Sequence, residues 1–166
     1  MKNGLRSERY TVEIDYDTVT NRVREERWRD SNGHLDRPCD LPAQILYDSD
    51  TGIPYEQCWF RENKLHRDGD KAAWIISDPN TGRTIWETFH VNGEKHRDGD
   101  KPARIIYDKK GRVVEHRYFR HGELHRDQGP AIERFSVTDG RSLRSEFWRH
   151  GRPLDAPGQA HGLEIK

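Results

Sequence analysis

His66-Arg67-Asp68-Gly69-Asp70-Lys71 is followed 30 residues later by the same six letters, His96-Arg97-Asp98-Gly99-Asp100-Lys101. A worn third copy, His125-Arg126-Asp127-Gln128-Gly129-Pro130, begins 29 residues further on. The same interval counted outward reaches Leu35-Asp36-Arg37-Pro38 on one side and Leu154-Asp155-Ala156-Pro157 on the other. The chain therefore reads as an array of about five units, three regular and one atypical at each end. A fixed period in this range marks a repeat architecture. It also shifts the functional question, because a residue recurring in every unit belongs first to the scaffold.

Composition alone pulls the other way. With 31% hydrophobic and 35% charged residues and a mean hydropathy of −1.15, the 166 residues resemble a chain that cannot build a large core. The aromatic residues recur at matched positions, however, and a thin array needs only a few large side chains packed between neighbouring units. Lys+Arg and Asp+Glu balance at 29 each, which argues against a non-specific nucleic-acid binder that must release counterions. No apolar run approaches a membrane span, and Met1-Lys2-Asn3-Gly4-Leu5-Arg6 lacks the apolar core of a signal peptide. Cys39 and Cys58 fall at different phases of the repeat and read as reduced thiols of a cytoplasmic protein.

Each unit opens on a β-rich run: Ala43–Tyr47, Ala73–Ile76, Ala103–Tyr107, Ala131–Phe135. A Gly-containing turn follows, at Asp50-Thr51-Gly52, Asn80-Thr81-Gly82, Lys109-Lys110-Gly111 and Thr138-Asp139-Gly140. A second strand ends in aromatics (Trp59-Phe60, Phe89, Tyr118-Phe119, Phe147-Trp148) and meets a two-residue turn at Glu62-Asn63, Asn92-Gly93, His121-Gly122 or His150-Gly151. Pro42, Pro102 and Pro130 mark a strand start or an edge, since proline cannot donate to a sheet ladder. Tyr16 to Trp28 spans 12 residues, as does Tyr47 to Trp59, so the N-terminal segment fits the scheme. The expected fold is all-β: tandem repeats in one long, twisted antiparallel β-meander of roughly ten strands, a hairpin array with no significant helix. Residues 10–157 form the single repeat domain, and 1–9 and 158–166 are expected to be flexible tails.

Tyr118, Phe119, Gly122, Leu124, His125, Gly129, Pro130 and Ala131, with Trp59, Phe60, Leu65, His66, Gly69 and Ala73 in an earlier unit, resemble the pattern of divergent MORN-type repeats. The resemblance covers roughly residues 10–160, although Arg67, Arg97 and Arg126 stand where that family usually has Gly after the His. It implies a β-hairpin array used for protein contacts, of the antitoxin-like or immunity-like kind described for bacterial and phage members.

Three His-x-Asp pairs, His66/Asp68, His96/Asp98 and His125/Asp127, are extended by Asp70 and Asp100. On a strand such residues share a face and would suit a cation. Their recurrence favours a structural role, with His donating to a neighbouring backbone carbonyl and Asp taking turn amides or Arg. Gly93 and Gly122 join them as repeat-structural residues. The reading assigns no metal and no cofactor. His-Arg-Asp also occurs in the catalytic loop of protein kinases, but three copies make no sense for one catalytic base, and no nucleotide loop, Gly-x-Ser-x-Gly or phased Cys-His pair is present. The expectation is a non-enzymatic protein.

Function should lie where the units differ. Trp74 and Trp86 stand out, matched here to Arg104 and Val114 and to Ile132 and Leu143. With Arg61, Arg83 and Arg104 they form the candidate partner-binding set, since Trp and Arg dominate interface centres. The expected partner is a protein that the chain inhibits by occlusion, in the cytoplasm of a bacterium or a phage-infected one. A nucleotide-like small anionic ligand is a second reading, and nucleic acid along Arg112, Arg117, Arg120 and Arg126 a third. An exposed edge strand would allow a homodimer.

Overall fold

The computed structural model describes residues 9–155, and every regular element in them is a strand. β1 (Thr11–Tyr16) and β2 (Val23–Arg29) form the first hairpin. Three units then each lay down two longer strands and one short hairpin. The first has β3 (Gln44–Tyr47), β4 (Pro54–Cys58), β5 (Phe60–Arg61) and β6 (Lys64–Leu65). The second has β7 (Trp74–Ser77), β8 (Thr84–Thr88), β9 (His90–Val91) and β10 (Glu94–Lys95). The third has β11 (Arg104–Tyr107), β12 (Val113–Arg117), β13 (Phe119–Arg120) and β14 (Glu123–Leu124). β15 (Ile132–Phe135), β16 (Ser142–Arg149) and β17 (Arg152–Leu154) complete the described chain.

The main sheet has 11 antiparallel strands in the order β1-β2-β3-β4-β7-β8-β11-β12-β15-β16-β17, and it does not close into a barrel. The expected meander is present, with one strand more than counted from sequence and three two-stranded hairpins beside it. The expected tails, 1–9 and 158–166, lie outside the described residues except for Arg9, which precedes β1.

Local chemistry explains the recurrence. The Asp48 carboxylate accepts from the backbone N–H groups of Asp50 and Thr51, and Asp78 does the same for Asn80 and Thr81. These Asx turns reverse the chain between the two long strands. Just before each turn the register slips by one residue, at Leu46/Tyr47, Ile76/Ser77, Ile106/Tyr107 and Arg134/Phe135, a bulge conserved in phase. In the short hairpins both central residues are left-handed, with φ of 51° at Asn92 and 91° at Gly93. That is the backbone a type I′ turn requires.

Ala43, Ala73, Ala103 and Ala131 are all 0% exposed. Their carbonyls accept the N–H of Trp28, Trp59, Phe89 and Tyr118, so each unit hangs its aromatic on the first residue of the next. The core is correspondingly thin: Ala72, Phe89 and Ala103, with Ile75, Ile105 and Phe119 against them. A second set of backbone bonds runs along the hairpins, where Gly93 N–H donates to Leu65 O, Gly122 to Lys95 O and Gly151 to Leu124 O. Gly93 and Gly122 therefore serve the scaffold, as their phase suggests.

Candidate functional site

The His-Arg-Asp segments lie at the joints between units. His66 Nε2 meets Asp68 Oδ1 at 2.9 Å, and its Nδ1 accepts the backbone N–H of Asn92 in the next hairpin at 3.1 Å. His96 does the same with Asp98 (3.0 Å) and His121 N–H (3.3 Å), and His125 with Asp127 (3.1 Å) and His150 N–H (3.3 Å). Since Nδ1 accepts, the proton sits on Nε2 and is donated to the Asp. This corrects the expected donation to a backbone carbonyl, because the imidazole caps an amide left open by the left-handed turn. His121 and His150, exposed in these turns, place their rings 4.6 Å and 4.4 Å from those of His96 and His125. The acceptor role of Asp68 holds its carboxyl below the usual range, through His66 first and then Arg61.

The arginines and the second Asp form a parallel ladder. Arg67 lies over the Trp59 ring, Arg97 over Phe89 and Arg126 over Tyr118, at 3.8, 3.6 and 3.8 Å. From there Arg67 reaches back to Asp40 (2.7 Å), Arg97 to Asp70 (2.6 Å) and Arg126 to Asp100 (2.9 Å). Lys71 and Lys101 add a second cation to Asp40 and Asp70. The paired guanidinium and ammonium hold Asp70 down at about 2. Asp68 and Asp70 therefore point to different tasks, and among the described residues no group of three or more His, Cys, Asp or Glu is arranged to hold a metal ion.

Residues opposite one another in an antiparallel ladder share a face. One face carries a row running Gln44, Cys58, Trp74, Thr88, Arg104, Arg117, Ile132 across successive strands. Beside it runs Leu46, Glu56, Ile76, Trp86, Ile106, Glu115, Arg134. This register places Glu56, Glu115 and Arg144, not Val114 and Leu143, at the positions equivalent to Trp86. Val114 and Leu143 each lie one residue short of the equivalent position and so fall on the opposite face.

Three of the five candidate partner-binding residues come together on this face. Trp74 and Trp86 meet edge to face with ring centroids 4.7 Å apart, and the Arg104 guanidinium lies 4.9 Å from the centre of the Trp86 ring. The other two are elsewhere. Arg61 pairs with Asp68 at a joint, and Arg83 donates to the Lys109 carbonyl in a turn.

Sequence reasoning missed three further residues. Thr88 is opposite both Trp74 and Arg104 and is 1% exposed. His90 and Lys95 are paired across the second hairpin, where the flanking units have Phe60–Leu65 and Phe119–Leu124. That substitution was legible by phase. Burial, and then Lys95, push the His90 imidazole down to about 4. Burial pushes the Lys95 amine down as well, helped by Arg104 and Arg117. The Trp74 Nε1, Thr88 Oγ1, His90 Nδ1 and Arg104 Nε atoms are all buried without a hydrogen-bond partner.

No family model, curated protein or solved structure matches this chain.

Proposed function

We propose that this chain is a non-enzymatic binding protein that inhibits a partner protein by covering it, in the manner of an antitoxin, an immunity protein or a phage anti-defence protein. The observation that carries the reading is the Trp74–Trp86–Arg104 cluster on one face of the sheet. Many of the other arginines are committed. Arg67, Arg97 and Arg126 stack on rings and bind Asp, while Arg112, Arg117 and Arg120 pair with Asp108, Glu115 and Asp127. This favours a protein partner over both a nucleic acid and a nucleotide sponge, since the clefts between joints are lined by cations that already have carboxylates. Two aromatic rings beside an uncommitted arginine have the make-up of an interface centre. A partner of ordinary size would cover about 800 Å² of the sheet face. The inhibitory role and the bacterial or phage setting rest on the resemblance to MORN-type repeats.

The test is affinity capture from lysate with the tagged protein, its Trp86→Ala variant and its Arg61→Ala variant. A stoichiometric protein retained by the parent and by Arg61→Ala, and lost with Trp86→Ala, is expected. Equal capture by all three, or no retained protein, overturns the reading.

A further inference from the structure

The departures from repeat phase are not scattered. Trp74, Trp86, Thr88, His90 and Lys95 belong to one unit, and Arg104 opens the next. The flanking units show what is missing. Where Trp86 stands, they carry Glu56 and Glu115, and Glu115 binds Arg117 at 2.5 Å and Arg134 at 2.8 Å. The second unit has a ring in place of that carboxylate. Arg104 faces Arg117 directly across the ladder on one side and Thr88 on the other. Like charges directly opposite destabilise a sheet, yet among the described residues Arg104 and Lys95 form no ion pair; the Arg104 guanidinium rests beside the Trp86 ring and feels Glu115 only through longer-range attraction. The second unit thus lacks the carboxylate that its neighbours carry in the adjoining row, and it leaves buried Trp74 and Thr88 polar atoms unsatisfied.

We propose that the missing charge is supplied from outside: the Trp74–Thr88–Arg104 row is a seat for a single carboxylate, an Asp or Glu side chain flanked by apolar residues on the protein partner. The inference deepens the protein-binding reading and rests on it. Arg104 donates to the carboxylate, Lys95 adds its charge from the adjoining hairpin, and the two Trp rings take the apolar neighbours. The move of Arg104 toward the ligand breaks no hydrogen bond or ion pair among the described residues, and the buried Trp74 indole N–H and Thr88 hydroxyl stand in the same row without partners. A polyanion fits poorly, because Glu56 and Glu115 lie on the same face to either side. A lone carboxylate fills the gap between them.

The experiment is a titration followed by proton–nitrogen correlation spectra of the whole chain, reading the Trp74 indole N–H and the Thr88 amide. The probe is the capped tripeptide Leu-Asp-Leu, raised to about 20 mM since an isolated contact of this size binds weakly. Its comparators are Leu-Asn-Leu, inorganic phosphate and a single-stranded oligonucleotide. Saturable shifts with the Asp peptide are expected, with at least about tenfold weaker binding of the Asn peptide. Trp86→Glu, a residue type this strand position already holds in two other units, should abolish the response and keep the sheet. Equal response to both peptides, no saturable shift, or an unchanged response in Trp86→Glu overturns the proposal. Phosphate or the oligonucleotide acting where the peptide does not would also overturn it, in favour of a free or polymeric phosphate ligand. If the peptide fails while Trp86→Ala still abolishes capture of the partner, the carboxylate seat falls and the protein-binding reading stands.

Discussion

Arg97 Nε donates to Asp70 Oδ1 at 2.6 Å across a unit boundary, while the same guanidinium lies 3.6 Å above the centre of the Phe89 ring. One side chain thus stacks on its own unit, binds the preceding one, and donates to the Pro102 carbonyl at the start of the next. A lysine would carry the charge but not the planar fork. Arg97→Lys should lower stability by about 1–2 kcal/mol, read from urea midpoints. In a double-mutant cycle with Asp70→Asn the coupling should be smaller, about 0.5–1 kcal/mol, because Asp70 is 42% exposed. A neutral Arg97→Lys would remove the ladder as a source of cohesion.

His96 caps the His121 amide and holds Asp98. His96→Ala leaves that amide without its acceptor, and a loss of about 1–2 kcal/mol is expected. Partner capture by protein that remains folded should be unchanged. An unaltered melting temperature would show that the joint does not need the imidazole.

The structure assigns His90 an acid-sensitive contribution. Its pKa is lowered from 6.5 to about 4, so below pH 6.5 the unfolded chain takes up a proton that the folded chain refuses. Stability attached to His90 is therefore complete above pH 6.5 and lost as the pH falls toward 4, by an amount on the order of 3 kcal/mol. His90→Phe installs the residue type of Phe60 and Phe119. It should flatten the stability curve between pH 4 and 6.5. A curve of unchanged slope would place the acid sensitivity elsewhere.

Much of this architecture is legible in the sequence because the repeat reports it twice or more. Strand order, the turns at Gly52, Gly82 and Gly111, and the structural service of His66, His96 and His125 all follow from phase. The partners do not. That Arg97 serves Asp70, 27 residues upstream, depends on how far one unit advances along the sheet, which no local propensity encodes. The misplacement of the Trp86 counterparts has a similar cause. A strand face alternates every residue, so a one-residue slip exchanges Glu115 for Val114 and turns a missing carboxylate into an ordinary apolar swap. Arg61 and Arg83 are close to Trp74 and Trp86 in sequence only: Arg61 sits on β5 of the short hairpin beside Asp68, and Arg83 precedes β8 and reaches the Lys109 carbonyl.

Trp86→Ala removes a half-buried ring whose neighbours are Trp74 and Arg104. Because the aromatics that hold the units together are Trp59, Phe89 and Tyr118, the expected loss of stability is modest, about 1 kcal/mol. The expected loss of partner affinity is larger, about 2 kcal/mol or more. Comparison of thermal melting with the dissociation constant of the captured partner checks both, and a greater loss of stability than of affinity would make Trp86 a packing residue.

The identity of the two His-Arg-Asp-Gly-Asp-Lys stretches has a genetic consequence. Crossing-over between the corresponding stretches would excise the 30 residues from Arg67 to His96 and fuse His66 to Arg97. Asp40 would then receive Arg97 and Lys101 in place of Arg67 and Lys71, so the joint would close as before. The excised length carries Trp74, Trp86, Thr88, His90 and Lys95. Such a deletion would yield a shorter, well-jointed array stripped of the proposed recognition surface, and the reverse exchange would yield one that displays it twice.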